Sequence, residues 1–225
     1  MAYIKNSEFI YQDGLLTISE DCNGCYDFNE SLEYLDVEEK KEILRGTREI
    51  VIPSSWEIID EELWNFVDED NQITCLNLTH ATGLSEMCVS SLDKLRVAVL
   101  PKQIEDLTDV HFYDGPSLEE VHIYCLDRLD EITSDKDKRL TLYVSKLSDT
   151  FEDHSDSSDN LYGINYSDNF LKDVKKVYLP AEYVRFFEFF LREQVTGDVD
   201  IEICPLPDGY SYPEKALSEP INKTY

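Results

Sequence analysis

The sequence predicts an α/β solenoid in which a parallel sheet covers one face and a helical cap covers the N-terminal end. Three observations lead to this prediction: a recurring set of apolar positions, a near-constant period between the sets, and a proline directly after several of them. Leu118, Val121 and Ile123 occupy positions one, four and six of the clearest set, and this spacing recurs along the chain. Because residues two apart point to the same side of a strand, each set predicts a strand with one buried face.

The last apolar position of each set marks one repeat. These positions are Ile52, Leu78, Leu100, Ile123, Val144, Leu179 and Ile203. They lie 21 to 26 residues apart, except for an interval of 35 residues between Val144 and Leu179. A period of about 20–29 residues is typical of leucine-rich repeats, whose strands share one continuous core when they stack in parallel. We therefore expect parallel strands near residues 49–52, 75–78, 97–100, 121–123, 141–144, 176–179 and 200–203.

Proline follows three of these strands directly, at Pro53, Pro101 and Pro180. Because proline cannot donate to a strand ladder, it predicts the point at which each strand ends. The proline also contributes to a resemblance. The runs IPSSWEII at 52–59 and LPKQIEDL at 100–107 are similar to BspA-like leucine-rich repeats, whose pattern reads L-x-x-V-x-I-P-x-x-V-x-x-I-x-x-x-A-F-x-x-C.

The resemblance spans about residues 47–205 and implies a leucine-rich-repeat solenoid. The first run continues to Leu63 and the second continues to Phe112 before the next repeat opens at Leu118. The chain departs from the family pattern in three respects. The late cysteine is missing, the alanine is replaced by Leu63 and His111, and the repeat after Val144 is about 12 residues too long.

The sequence divides into a predicted N-terminal cap at 1–46, the solenoid at 47–205 and a proline-containing tail at 206–225. In the cap, Gly14 to Ile18 predicts an edge strand. Asp36 to Leu44 predicts a short helix in which Asp36 and Glu39 can form a capping box.

Three further segments interrupt or follow the repeats. Ala181 to Arg192 predicts a second helical stretch, and the acidic run at 149–160 predicts an exposed insertion. The tail contains Pro207, Pro213 and Pro220, which makes a helix there improbable. We expect the tail either to cover the last strand or to be disordered.

The charge balance limits the classes of partner. The chain has 20 basic and 48 acidic residues and a formal net charge of −28. This charge repels phosphate backbones and anionic membrane surfaces, so neither nucleic acid nor membrane is an expected partner. It favours a basic protein partner or serves solubility alone. The first ten residues contain no apolar leader segment, which predicts a cytoplasmic protein with reduced cysteines.

The residues that could support chemistry are few. Cys22 and Cys25 have the spacing of a zinc or redox pair, but no second pair accompanies them. The aspartates near His154 lack the glycine and the tight alternation of a calcium loop. No histidine stands in a nucleophile motif, and no glycine-rich phosphate loop occurs. We therefore predict no catalytic, cofactor or metal site.

The outward positions of the predicted strands remain as the candidate site. Several of them are unusually apolar or aromatic for a solvent-facing surface. The predicted partner-binding residues are Val97, Val99, Glu120, His122, Tyr143, Lys176 and Tyr178. The alternative explanation is that a cap or the insertion covers this face.

Two functional hypotheses follow from these patterns. The first is a non-enzymatic protein-binding module that uses the strand face of the solenoid. The second is a cytosolic immunity or antitoxin-like inhibitor whose acidic surface blocks a basic toxin or nuclease. An enzymatic function has no support from the residues.

Overall fold

The computed structural model describes residues 3–59, 63, 71–81, 83–102, 109–112, 117–126, 131–134, 140–147, 173–194 and 200–214. The acidic insertion predicted at 149–160 and the tail beyond residue 214 lie outside them.

Most of the regular structure in these residues is β-strand. The strands are Tyr3–Lys5 (β1), Phe9–Gln12 (β2), Leu15–Ile18 (β3), Glu49–Val51 (β4), Ile58–Ile59 (β5), Cys75–Asn77 (β6), Glu86–Val89 (β7), Val97–Val99 (β8), Asp109–Phe112 (β9), Glu120–Leu126 (β10), Glu131–Ser134 (β11), Leu140–Leu147 (β12), Val174–Leu179 (β13) and Glu202–Pro205 (β14). The helices are Cys25–Glu33 (α1), Val37–Gly46 (α2) and Val184–Gln194 (α3).

The strands of the described residues form two sheets, and the strand counts below refer to this part of the chain. The larger sheet has ten strands in the order β1-β2-β3-β4-β6-β8-β10-β12-β13-β14. Its first three strands pair antiparallel as two hairpins, and every later pairing, from β3–β4 to β13–β14, is parallel. The described part of the chain is thus a mostly-strand parallel solenoid with few helices. The prediction of a repeat solenoid with a parallel sheet is confirmed, whereas the α/β class overstated the helical content.

The register of the larger sheet agrees with the predicted repeats for six strands. Ile50 lies opposite Leu76, Leu76 opposite Ala98, and Ala98 opposite Val121. The alignment continues through Val121 with Leu142 and Leu142 with Val177. Equal apolar spacing therefore predicted both the strand positions and their inward faces, because each inward residue packs on its equivalent in the next repeat.

The last strand is displaced from its predicted place. We expected Leu179 and Ile203 to be equivalent, but Leu179 lies opposite Pro205 and Ile203 lies opposite Val177. The predicted strand at 200–203 is therefore found at 202–205. A terminal strand has a neighbour on one side of the sheet, so its apolar pattern is less constrained and specifies the register less strictly.

The smaller sheet was not predicted. It contains four parallel strands in the order β11-β9-β7-β5. These strands lie in the segments that return the chain from one long strand to the next. Ile59, Met87 and Val110 are buried in the same cluster as residues of the larger sheet, so the two sheets enclose one core.

Helix α2 confirms the predicted capping box. The Asp36 carboxylate accepts hydrogen bonds from the backbone N–H groups of Glu38 and Glu39, both at 2.9 Å. The Glu39 carboxylate accepts from the Asp36 backbone N–H at 3.4 Å. Helix α1, which the sequence did not predict, buries Phe28 and Leu32 in the core.

The N-terminal residues are attached to the first repeat by a buried tryptophan. The Trp56 side chain is 2% exposed, and its Nε1–H donates to the Cys22 carbonyl at 2.8 Å. The carboxylate of Glu20 accepts from the backbone N–H groups of Ser54 and Ser55. These contacts join the segment before α1 to the turn after β4.

Candidate protein-binding face

The outward side chains of the larger sheet form two parallel rows. The outer row consists of Glu49, Cys75, Val97, Glu120, Thr141, Lys176 and Glu202. The middle row consists of Val51, Asn77, Val99, His122, Tyr143, Tyr178 and Cys204. All seven predicted partner-binding residues belong to these rows. The structure therefore brings them onto one face, which we call the strand face.

Three rings of the middle row form an aromatic ladder made of His122, Tyr143 and Tyr178. The His122 and Tyr143 ring centroids are 4.8 Å apart, with 16° between the ring planes. The Tyr143 and Tyr178 centroids are 4.9 Å apart, with 15° between the planes. These separations match the spacing between adjacent strands of a sheet, about 4.7–4.9 Å. The rings stack because the strands that carry them are parallel and in register.

The C-terminal segment, residues 205–214, crosses the strand face. It leaves β14 where the Leu206 N–H donates to the Leu179 carbonyl at 2.7 Å. A tight turn follows, closed by a hydrogen bond from the Tyr210 N–H to the Pro207 carbonyl at 3.0 Å. The segment then passes back over β12, β10 and β8 as far as β6. Of the two outcomes expected for the tail, its described part shows coverage, and it covers several strands besides the last.

Tyr210 is the side chain of the C-terminal segment that meets the aromatic ladder. Its ring is nearly parallel to those of Tyr143 and His122, at centroid distances of 5.5 Å and 6.0 Å. Its hydroxyl lies 3.1 Å from Nδ1 of His122. Burial raises the pKa of Tyr210, and burial lowers the pKa of His122 although the nearby Glu120 carboxylate opposes that shift. Burial therefore favours the neutral form of each group.

Tyr212 anchors the segment over β10 and β8. Its ring meets the Tyr124 ring edge to face at 5.4 Å and 71°, and its hydroxyl donates to the Leu100 carbonyl. Burial is the main reason that the pKa of Tyr212 is raised. The next residue, Pro213, accepts a hydrogen bond from the Asn77 side-chain amide at 3.5 Å.

Glu214, the last described residue of the segment, forms an ion pair with Lys102. Lys102 Nζ lies 2.6 Å from a carboxylate oxygen of Glu214, and both side chains are partly exposed. Lys102 Nζ also lies 5.3 Å from the centroid of the Tyr124 ring. One lysine thus contacts both the strand face and the segment that covers it.

The predicted residues differ in accessibility because of this segment. Val99 and His122 are buried, at 1% and 9% exposure, although both belong to the outward-facing middle row. Val97, Tyr143 and Tyr178 are half-buried. The covering element is therefore the C-terminal segment, which no sequence pattern predicted on this face.

Sequence reasoning missed three aromatic residues of the face: Tyr124, Tyr210 and Tyr212. Tyr124 could have been found, because it continues the outward alternation two residues after His122. Tyr210 and Tyr212 lie in a segment without apolar periodicity, so the sequence carried no signal of their position.

Three lysines lie beside the tyrosines of the strand face. The Nζ atoms of Lys102 and Lys146 lie 5.3 Å and 5.4 Å from the Tyr124 ring centroid. Lys176 Nζ lies 5.5 Å from the Tyr178 ring centroid and 2.7 Å from the Glu202 carboxylate. Three of the 20 basic residues therefore stand beside two tyrosines of this one face. At these distances the ammonium groups are attracted to the faces of the two rings.

Cys22 and Cys25 lie in the same core cluster as Trp56. Both residues are buried, and burial raises the pKa of the Cys22 thiol to about 11. The Cys22 thiol donates to the Gly24 carbonyl at 3.6 Å. A thiol with a raised pKa is a poor nucleophile at neutral pH, which argues for a packing role.

Within the described residues, no group of three or more His, Cys, Asp or Glu side chains could hold a metal ion. None of the described helices is both long enough and apolar enough to cross a bilayer. No family model, curated protein or solved structure matches this chain.

Proposed function

We propose that this protein is a non-enzymatic binding module that recognises another protein through its strand face. The aromatic ladder of His122, Tyr143 and Tyr178 is the observation that carries the proposal. Stacked aromatic rings with lysines beside them supply the large contact area and the directional contacts that are enriched in protein interfaces. The outer row offers the half-exposed Val97, Glu120 and Lys176 next to the ladder.

We assign the solenoid to the BspA-like leucine-rich-repeat type, with α1 and α2 as its N-terminal cap. The repeat period and the proline after β4 and β8 support this assignment. Buried Trp56, Ile59 and Leu63 at the corresponding positions of the pattern support it further. A cytoplasmic location and the absence of catalysis remain part of the same proposal.

The alternative function, inhibition of a basic toxin or nuclease, is supported by the net charge of −28. The strand face does not add to that support, because Lys102, Lys146 and Lys176 lie on it beside its glutamates. An inhibitor that acts through acidic groups would have to use another surface of the molecule.

The test compares capture of a partner by three forms of the full chain. These are the wild type, Tyr178→Ala in the ladder, and Tyr34→Ala as a matched control at an 81% exposed site after α1. We expect a partner that wild type and Tyr34→Ala retain equally. Tyr178→Ala should release that partner at least about tenfold faster, which corresponds to the loss of roughly 1.4 kcal/mol. Equal release by all three forms would refute the strand-face proposal.

A further inference from the structure

The C-terminal segment occupies the strand face as a bound peptide would. Beyond Leu206, three side chains of the segment contact the sheet region: Tyr210 on the ladder, Tyr212 on Tyr124 and Leu100, and Glu214 on Lys102. The Pro213 carbonyl adds one contact, with the Asn77 side chain. The segment is not an added strand of the sheet. It can therefore leave the face without breaking a ladder of backbone hydrogen bonds.

We propose that the strand face is a binding groove for an acidic Tyr-x-Tyr-x-Glu peptide, and that residues 207–214 fill it as an exchangeable internal ligand. This inference rests on the proposed function, since it names the chemistry of the partner at the same face. A partner segment of this kind takes the place of Tyr210, Tyr212 and Glu214.

The spacing of the two tyrosines matches the two places where they bind. Tyr210 lies over the ladder between His122 and Tyr143, and Tyr212 lies against Tyr124. His122 and Tyr124 are outward residues two apart on β10, and the tyrosines of the segment are also two apart. One peptide therefore reaches both places at once.

Hydroxyl contacts distinguish tyrosine from phenylalanine at both places. The Tyr210 hydroxyl is 3.1 Å from His122 Nδ1, and the Tyr212 hydroxyl donates to the Leu100 carbonyl. A phenylalanine at either place would leave a polar group of the face without its hydrogen-bond partner. A site that hydrogen-bonds a buried hydroxyl discriminates strongly against the analogue that lacks it.

The charges of the face select the acidic residue. Glu214 pairs with Lys102 at 2.6 Å, and Lys146 lies beside the same Tyr124 ring. The protein has a formal net charge of −28, so its long-range field disfavours an acidic peptide, and the local lysines must supply the attraction. This combination predicts a short, specific acidic segment rather than a broadly acidic partner.

The internal ligand also regulates access. A segment attached to β14 acts at an effective concentration on the order of 1 mM, so it outcompetes a weak peptide in solution. The affinity of an external peptide is reduced in proportion to the fraction of molecules whose face is open. Release of the segment is therefore a condition for binding the partner.

The experiment uses a fluorescent peptide with the sequence of residues 205–214, PLPDGYSYPE. Its binding by fluorescence anisotropy is compared for the wild-type chain and for full-length Tyr210→Ala/Tyr212→Ala, whose own segment is released. We expect the released variant to bind the peptide at least about tenfold more tightly than wild type. Adding Tyr143→Ala to the released variant should abolish binding.

Two control peptides test the recognition. A peptide with both tyrosines replaced by phenylalanine should bind roughly tenfold more weakly, and one with both replaced by alanine should not bind. If the double variant fails to fold, full-length Tyr212→Phe/Glu214→Lys replaces it, since this variant keeps both rings. We then expect an affinity between those of wild type and a fully released face.

Three results would overturn the inference: no binding by a folded released variant, equal binding by wild type and released variant, or equal binding of the tyrosine and alanine peptides. This assay needs no natural partner. If Tyr178→Ala loses the captured partner but the released variant binds no peptide, the inference is wrong and the proposed function stands. Peptide binding without any partner that depends on Tyr178 would count against the proposed function instead.

Discussion

The Tyr210 hydroxyl lies 3.1 Å from Nδ1 of His122, and the two rings are 8° from parallel. The two residues are 88 positions apart in the chain. In the tautomer that carries its proton on Nε2, His122 accepts a hydrogen bond from the Tyr210 hydroxyl at Nδ1. Its Nε2 lies 3.6 Å from the Glu120 carboxylate. The contact thus links the protonation of His122 to docking of the C-terminal segment.

Stability should fall in mildly acidic solution through His122. Burial lowers the pKa of His122 below about 6.5, so the unfolded chain binds a proton at a pH where the folded chain does not. The contribution of the neutral His122 ring to the free energy of unfolding is therefore fully present above a pH of about 6.5. It is lost as the pH falls through the pKa of His122 in the folded protein. Thermal melting from pH 7.5 to 5 should decline more steeply for wild type than for His122→Phe.

The comparison with His122→Phe isolates this group from the many carboxylates. The titratable groups facing His122 are Glu120 on its own strand, Tyr143 on β12 and Tyr210 on the segment. They are present in both proteins. Parallel melting curves across this pH range would show that His122 does not control the contact.

Ile123 tests the inward register of the larger sheet. It is fully buried and lies opposite Val144 in the next repeat. Ile123→Asp places an unpaired charge in the core and should lower the free energy of unfolding by at least about 3 kcal/mol. Ile123→Val should lower it by about 0.5–1.5 kcal/mol.

Thr141→Asp provides the matched control, because Thr141 is half-exposed in the outer row of an adjacent strand. Thr141→Asp should lower the free energy of unfolding, measured by urea denaturation, by less than about 1 kcal/mol. If Ile123→Asp and Thr141→Asp lowered the free energy of unfolding by similar amounts, the assignment of inward and outward faces would be wrong.

The cysteines should differ in their rates of alkylation. Burial raises the pKa of Cys22 to about 11 and Cys25 is also buried, so both should resist iodoacetamide in the native protein at pH 8. The half-buried Cys75 should react sooner. After denaturation without reductant, mass spectrometry should find all six cysteines alkylated. A Cys22–Cys25 disulfide in freshly prepared protein would refute the assignment of reduced thiols.

Gly209 should control how firmly the C-terminal segment docks. Its φ of +77° is in the left-handed region, and a Cβ there would meet no atom within 4 Å. Gly209→Ala therefore acts through backbone strain alone, at about 1–2 kcal/mol. Hydrogen exchange of residues 206–214 should become roughly tenfold faster, since local opening follows this free energy.

Gly83→Ala is the matched control for this substitution. Gly83 has no positive φ, and a Cβ there would make an ordinary contact with the Ser54 carbonyl at 3.5 Å. Exchange of residues 206–214 should be the same in Gly83→Ala and wild type. Unchanged exchange in Gly209→Ala would show that the turn does not hold the segment in place.

The sequence determined the repeat solenoid and the direction of its side chains. Sets such as Leu118, Val121 and Ile123 encode the inward face locally, because alternation along a strand repeats every two residues. Equal periods then placed six strands in register and assembled Val99, His122, Tyr143 and Tyr178 in one outward row. The capping box of Asp36 and Glu39 was equally readable, since it depends on residues three apart.

Only the tertiary structure decided what covers that row. The second sheet has short strands such as Ile58–Ile59, too short for an alternating pattern to identify. The C-terminal segment has no periodicity at all, and its position follows from Gly209, Tyr210 and Tyr212 meeting surfaces built by β8, β10 and β12. The receiving surface is made of side chains from different repeats, stacked at the spacing between strands. No window of the sequence contains that surface, so the contact between Tyr210 and His122 exists only once the strands are in place.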